Sequence, residues 1–160
     1  VFQTSPLAIY LNDHLTGATG GVELSRRLTR GAKGTAHEST LQRLSIEIAE
    51  DRDTLKRIMA DLQVTADPVR ELIGWAGEKV GRLKPNGHLI TRSPLSTLLE
   101  VEMLRLGVEG KVCLWRSLTA IAAQRPVLDA AELVGLTDRG ESQSSELETI
   151  RVELAKERLI

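Results

Sequence analysis

Four side chains in this sequence have the types and placement to do chemistry together: His14, Asp51, Glu102 and Glu109. In the helical reading given below they fall on or beside the buried sides of three different helices, so they could converge midway along a bundle. Carboxylates with an imidazole form a hard-ligand set suited to iron or manganese. An ionised carboxylate buried alone is costly, so Asp51 must be protonated or paired. Arg105 and Arg116 are the natural partners, because spacings of three, four and seven put them on one helix strip with Glu102 and Glu109. That predicts a buried polar network in place of a metal site, since internal arginines repel a cation. The strip also reads as an exposed ladder of ion pairs along a helix edge.

Charge placement gives a second candidate. Arg26, Arg27, Arg30 and Lys33 close the first helix, while Lys79, Arg82, Lys84 and Arg92 surround the end of the third. No acid occurs between Glu23 and Glu38 or between Glu78 and Glu100, so two basic clusters should meet at one end of the molecule. Such a pole could hold phosphate, nucleic acid or anionic lipid. It also suits the negative ends of two helix dipoles, and no stacking aromatics accompany it. Gly17, Gly20 and Gly21 lie inside a helix rather than after a strand, so they form no phosphate loop. No serine, histidine and acid arrangement signals a hydrolase.

The elements that must position these groups are all helical. Residues 94–123 form a long helix with two apolar stripes, one through Leu95, Leu99, Leu106 and Cys113, the other through Val101, Leu104, Val108, Val112 and Trp115. Two stripes call for neighbours on both sides. Ser5 and Pro6 open a first helix running to about Arg30, with core positions Leu7, Leu11, Leu15, Ala18 and Val22. Its glycines imply a backbone in close approach, or room for a bulky side chain opposite. Thr35 and Glu38 read as a capping box opening a second helix, whose buried side carries Leu41, Leu44, Ile48, Leu55, Ile58, Met59 and Leu62. A shorter helix is expected over 68–83, and a narrow-striped one over 141–158, within a C-terminal stretch 136–160 at the periphery of the same domain.

With Tyr10-Leu11-Asn12-Asp13-His14-Leu15 in the first helix and Leu106-Gly107-Val108-Glu109-Gly110-Lys111 in the long one, this succession of helices resembles ferritin-like helical-bundle proteins of bacteria. The resemblance is closest to uncharacterised actinobacterial-type members. It implies a four-helix bundle whose second and third core helices run parallel, joined by a crossover. The 68–83 helix would then be the crossover, its sixteen residues spanning about 24 Å, and the 141–158 helix the fourth core helix. A plain up-down-up-down bundle is the other threading. The family's two-iron centre needs Glu-x-x-His motifs, and this chain has none.

A length of 160 residues suits one domain with a real core, and a net charge of −1 gives no global attraction to nucleic acid or membrane. No apolar run is long enough to span a membrane, and no signal peptide is evident. The single cysteine, Cys113, allows no internal disulfide, reads as a small buried hydrophobe and fits a cytoplasmic location. The expectation is therefore an all-α, ferritin-like four-helix bundle with an additional helix, a single domain over 1–160. Its expected role is a non-catalytic structural or interaction protein with a buried polar network. The alternatives are a degenerate iron or manganese site on His14, Asp51, Glu102 and Glu109, and a polyanion binder. Spare apolar surface at Leu24 and Ile46 points to a homodimer.

Overall fold

The computed structural model describes residues 5–67 and 94–160. These form four long α-helices, α1 (Pro6–Gly31), α2 (Glu38–Asp61), α3 (Pro94–Ile121) and α4 (Ala130–Arg158), with one turn of 3-10 helix at Ala122–Gln124 and no strand among the described residues. The expected 68–83 helix lies outside them.

Each helix end follows from local chemistry. Ser5 Oγ accepts the Ala8 N–H at 3.1 Å, and Pro6 takes the first helical position. The expected Thr35/Glu38 box is rearranged. Glu38 Oε2 reaches back one residue further to the Gly34 N–H at 2.7 Å, and Thr35 Oγ1 accepts from the His37 N–H at 3.3 Å, so α2 begins at Glu38. Gly34 has a φ of 78°, which a glycine adopts without steric cost. At the other end of α2, Gln63 takes a φ of 55° while the Val64 N–H bonds Met59 O and the Gln63 N–H bonds Ala60 O. That is a Schellman stop made without glycine, and Val64 and Met59 pack in the same core cluster beneath it.

Contacts between helices fix their directions. Tyr10 Oη donates to Ser117 Oγ at 3.0 Å and Arg27 pairs with Glu100 at 3.3 Å, so α1 and α3 are antiparallel. Arg43 meets Glu146 and Arg57 meets Glu132, so α2 and α4 are antiparallel too. Short links make α1–α2 and α3–α4 antiparallel hairpins. Hence α2 and α3 run parallel, and the chain leaves α2 at one end of the bundle and enters α3 at the other. This is the crossover order rather than up-down-up-down. Asn12 secures the departure: its amide donates to Thr65 O at 3.2 Å and its carbonyl accepts the Asp67 N–H at 2.7 Å.

The core divides into two apolar clusters, each with residues from all four helices. One includes Leu11, Leu15, Leu55, Met59, Trp115, Leu118 and Leu133; the other includes Val22, Leu44, Ile48, Val101, Leu104, Leu147 and Ile150. The C-terminal helix is therefore a full member of the bundle, begins at Ala130 rather than near Glu141, and is not peripheral. Its cap is Asp129, whose Oδ1 accepts the N–H groups of Ala131 and Glu132. Its buried stripe runs Leu133, Leu136, Gly140, Gln143, Leu147, Ile150, Leu154, a three-four spacing interrupted in the middle by a glycine and an amide. At Gly140 the Val112 side chain of α3 leaves no room for a Cβ, which would stand 2.7 Å from Val112 Cγ2.

Three expectations change. On α3 the stripe through Val101, Leu104, Val108, Val112 and Trp115 is buried, but Leu95, Leu99 and Leu106 are exposed. Cys113, on that outer stripe, is exposed instead of buried. Among the described residues a Cβ built at Gly17 or Gly21 would meet nothing within 4 Å, so none of them makes the close backbone approach expected at these glycines. Ile46 is exposed as expected, whereas Leu24 packs partly against the core.

Candidate functional site

Between the two apolar clusters lies a layer of charge. Asp51 follows Ile48 and precedes Leu55 by helical spacings, which puts its carboxylate inside whatever its chemistry, and it is 1% exposed. Both of its oxygens are occupied. Lys111 Nζ of α3 reaches Oδ2 at 2.5 Å, and the Arg139 guanidinium of α4 meets Oδ1. Gln143, also buried, completes the layer: its carbonyl accepts from Lys111, and its amide donates to Glu47 Oε2 at 3.0 Å. One carboxylate thus ties three helices together.

The surrounding charges extend the layer to the surface. Arg139 also holds Glu50 at 3.2 Å, and Arg43 bridges Glu47 at 2.7 Å and Glu146. Burial pushes the Lys111 ammonium below the ordinary lysine value, and Asp51 opposes that shift. Burial would raise the Glu47 carboxyl, but hydrogen bonds from Gln143 and Arg43 outweigh it, leaving the group below the usual carboxylate range. The layer pairs both oxygens of the buried Asp51 with cations from two other helices, while the buried Nε of Arg139 has no hydrogen-bond partner among the described residues, an arrangement suited to positioning helices.

The four residues singled out by the sequence are not brought together. His14 packs its ring edge-on against Tyr10, with centroids 4.5 Å apart, and burial lowers its basicity against the pull of Asp13. Glu109 accepts from Ser144 Oγ at 2.5 Å, and Glu102 faces Arg151 at 3.7 Å. Among the described residues no three histidine, cysteine, aspartate or glutamate side chains stand close enough to share a metal ion. The described residues do not fit a two-iron carboxylate centre, because the innermost acid among them already has two cationic side chains on it.

Arg105 and Arg116 are not the partners of Asp51. Arg105 pairs with Glu148 at 3.4 Å, and exposed Arg116 with Glu141 at 2.5 Å, so the outer strip is a ladder of ion pairs. The long helix places Lys111, not an arginine, at the edge of its buried stripe. Sequence reasoning missed Lys111, Arg139 and Gln143. The signal for the last was available, since Gln143 falls on the three-four stripe of α4 between Leu136 and Leu147.

At the end of α1, Arg26 pairs with Glu23 at 3.1 Å and Arg27 with Glu100 at 3.3 Å, while Arg30 and Lys33 are exposed. The other half of the expected basic pole, Lys79, Arg82, Lys84 and Arg92, lies outside the described residues. No helix among the described residues is long and apolar enough to cross a membrane. No protein-family model, curated protein or solved structure matches this chain.

Proposed function

We propose that this chain is a non-catalytic helical bundle of ferritin-like type, a cytoplasmic structural or interaction protein whose mid-bundle polar layer fixes the register of α2, α3 and α4. The observation that carries this reading is the complete occupation of Asp51, which meets Lys111 from one neighbouring helix and Arg139 from another. A slip of any one helix by a residue would leave a charge buried without its partner. The parallel course of α2 and α3 supports the ferritin-like assignment. The exposed outer stripe of α3, where Met103 and Leu106 are 62% and 63% exposed, supports assembly with a second copy.

The test is metal analysis of protein purified without chelator, with melting curves before and after addition of Fe, Mn or Zn. This reading expects less than about 0.1 equivalent of metal and no rise in Tm. Near-stoichiometric metal together with a rise in Tm on loading would overturn it in favour of a carboxylate metal site. Sedimentation at high concentration expects a dimer, and a monomer there would remove that part of the proposal.

A further inference from the structure

Between α1 and α3 runs a groove whose walls are mainly apolar, with Leu24, Leu99 and Leu104 among them. It is lined from Asp13 to Arg27 along α1, and from Trp115 back to Leu99 along α3, a length of about 20 Å. Gly17, Gly21, Gly107 and Gly110 border it, and among the described residues a Cβ at any of them would meet nothing within 4 Å. Glycine weakens a helix, so four of them on two facing helices call for an element seated close against their backbones.

The two ends of the groove say which element that is. One end, at Asp13, is next in sequence to Asn12, whose side chain holds the chain as it leaves α2, through Thr65 O at 3.2 Å and the Asp67 N–H at 2.7 Å. The other end, at Leu99 and Glu100, lies about one and a half turns from Pro94, where α3 begins. Residues 68–93 connect those two points, so they must travel the length of the bundle in the direction of the groove. Their sequence carries what the groove needs. Val69, Leu72, Ile73, Ala76, Val80 and Leu83 recur at helical spacing, and a helix over 68–83 would cover about 24 Å. Two other faces of the bundle offer no such seat. Arg43 with Glu146 and Arg57 with Glu132 cross between α2 and α4, and Arg105 with Glu148 and Arg116 with Glu141 between α3 and α4. An apolar stripe laid over either would take water from those ions and give nothing back.

We propose that residues 68–83 occupy this groove as a fifth helix, with their apolar side against the glycines of α1 and α3. The groove is then a seat for the same chain, and neither a small-molecule pocket nor the contact with a second copy. Leu106 does not line it, so the outer stripe of α3 keeps surface for such a contact. The inference does not rest on the scaffold reading, since metal in the purified protein would count against the scaffold and leave the occupant of the groove unchanged.

The test uses the full chain carrying Gly107→Cys, with the exposed Cys113 as internal reference. In maleimide labelling read by peptide mass mapping, the thiol placed at position 107 should react at least about 10-fold more slowly than Cys113, whatever the protein concentration. Adding Ala76→Asp, a charge on the apolar side of the segment, should bring the two rates to within about 2-fold, while Glu78→Lys on the opposite side should leave them apart. A second measurement locates the segment even if Ala76→Asp fails to fold. In a Cys113→Ser background, Gly107→Cys should form a disulfide within one chain with at least one of Ile73→Cys, Ala76→Cys and Val80→Cys, and with neither Glu71→Cys nor Glu78→Cys. Rapid labelling at position 107 of the folded chain, or no disulfide from the apolar side, would overturn the inference by leaving the groove open. Equal linking from both sides of the segment would overturn it too, and so would protection lost on dilution or disulfides between two chains, which would hand the groove to a second copy.

Discussion

The two apolar clusters and the charged layer between them hold the same four helices by different means. In the clusters, leucine, isoleucine, valine and methionine side chains remove apolar surface from water, and a leucine shifted along its helix by a turn still finds apolar neighbours. In the layer, Asp51 accepts one donor from α3 and one from α4, so a shift of either helix pulls a charged donor away from its acid. The clusters supply most of the drive to fold. The layer adds little net stability, because desolvating its charges offsets their attraction, but it discriminates between arrangements that the clusters would tolerate.

The largest expected effect breaks the layer from its centre. Asp51→Ala leaves Lys111 and Arg139 facing each other without their shared acid, and should cost about 3–5 kcal/mol in denaturant unfolding. Replacing Asp51, Lys111 and Gln143 together with apolar residues of similar size should recover most of that loss. If the single change costs under about 1 kcal/mol, the contrast between layer and clusters fails. A smaller effect is expected at the tight contact beside the layer. Gly140→Ala drives a methyl into the Val112 side chain, so Val112 or the helices must shift, for about 1–3 kcal/mol. Val112→Ala in the same chain should relieve it, and that rescue would distinguish crowding from altered helix propensity.

The smallest effect lies at the rim and depends on pH. Glu47 has its folded pKa below the ordinary carboxylate value, so its stabilisation is complete above that value and is lost as pH falls through the lower, folded one. Glu47→Gln should therefore flatten the acid limb of a stability-against-pH curve, with a difference under about 1 kcal/mol at neutral pH. An unchanged acid limb would place the titration elsewhere.

How much of this was legible depended on whether a residue's surroundings lie on its own helix. The buried side of α2 follows from spacing alone, and so does the need for Asp51 to be paired, because a 3.6-residue period leaves no freedom over which way position 51 points. The span of α3 and its inner stripe were readable for the same reason. The identity of the partners was not, since Lys111 and Arg139 come from helices whose rotation and offset only packing decides. Arginines on the same strip as Glu102 and Glu109 were the local candidates, and they are spent on surface acids. The beginning of α4 was misread because Gly135, Thr137, Asp138 and Gly140 look like a linker. Contact of Gly140 with Val112 and the Asp129 cap supply what propensity lacks. The outer stripe of α3 shows the opposite limit, as apolar periodicity identifies a surface without saying what covers it.

The order of the helices along the chain has a kinetic consequence. Each antiparallel hairpin closes over a link of only a few residues, so both can form quickly and independently, whereas joining them requires the long return between α2 and α3. Every bond that Asp51 makes to Lys111 and Arg139 crosses from one hairpin to the other. Water must leave those ions when the two halves meet, so the cost of stripping the layer falls on the docking of the hairpins and not on the closing of either one.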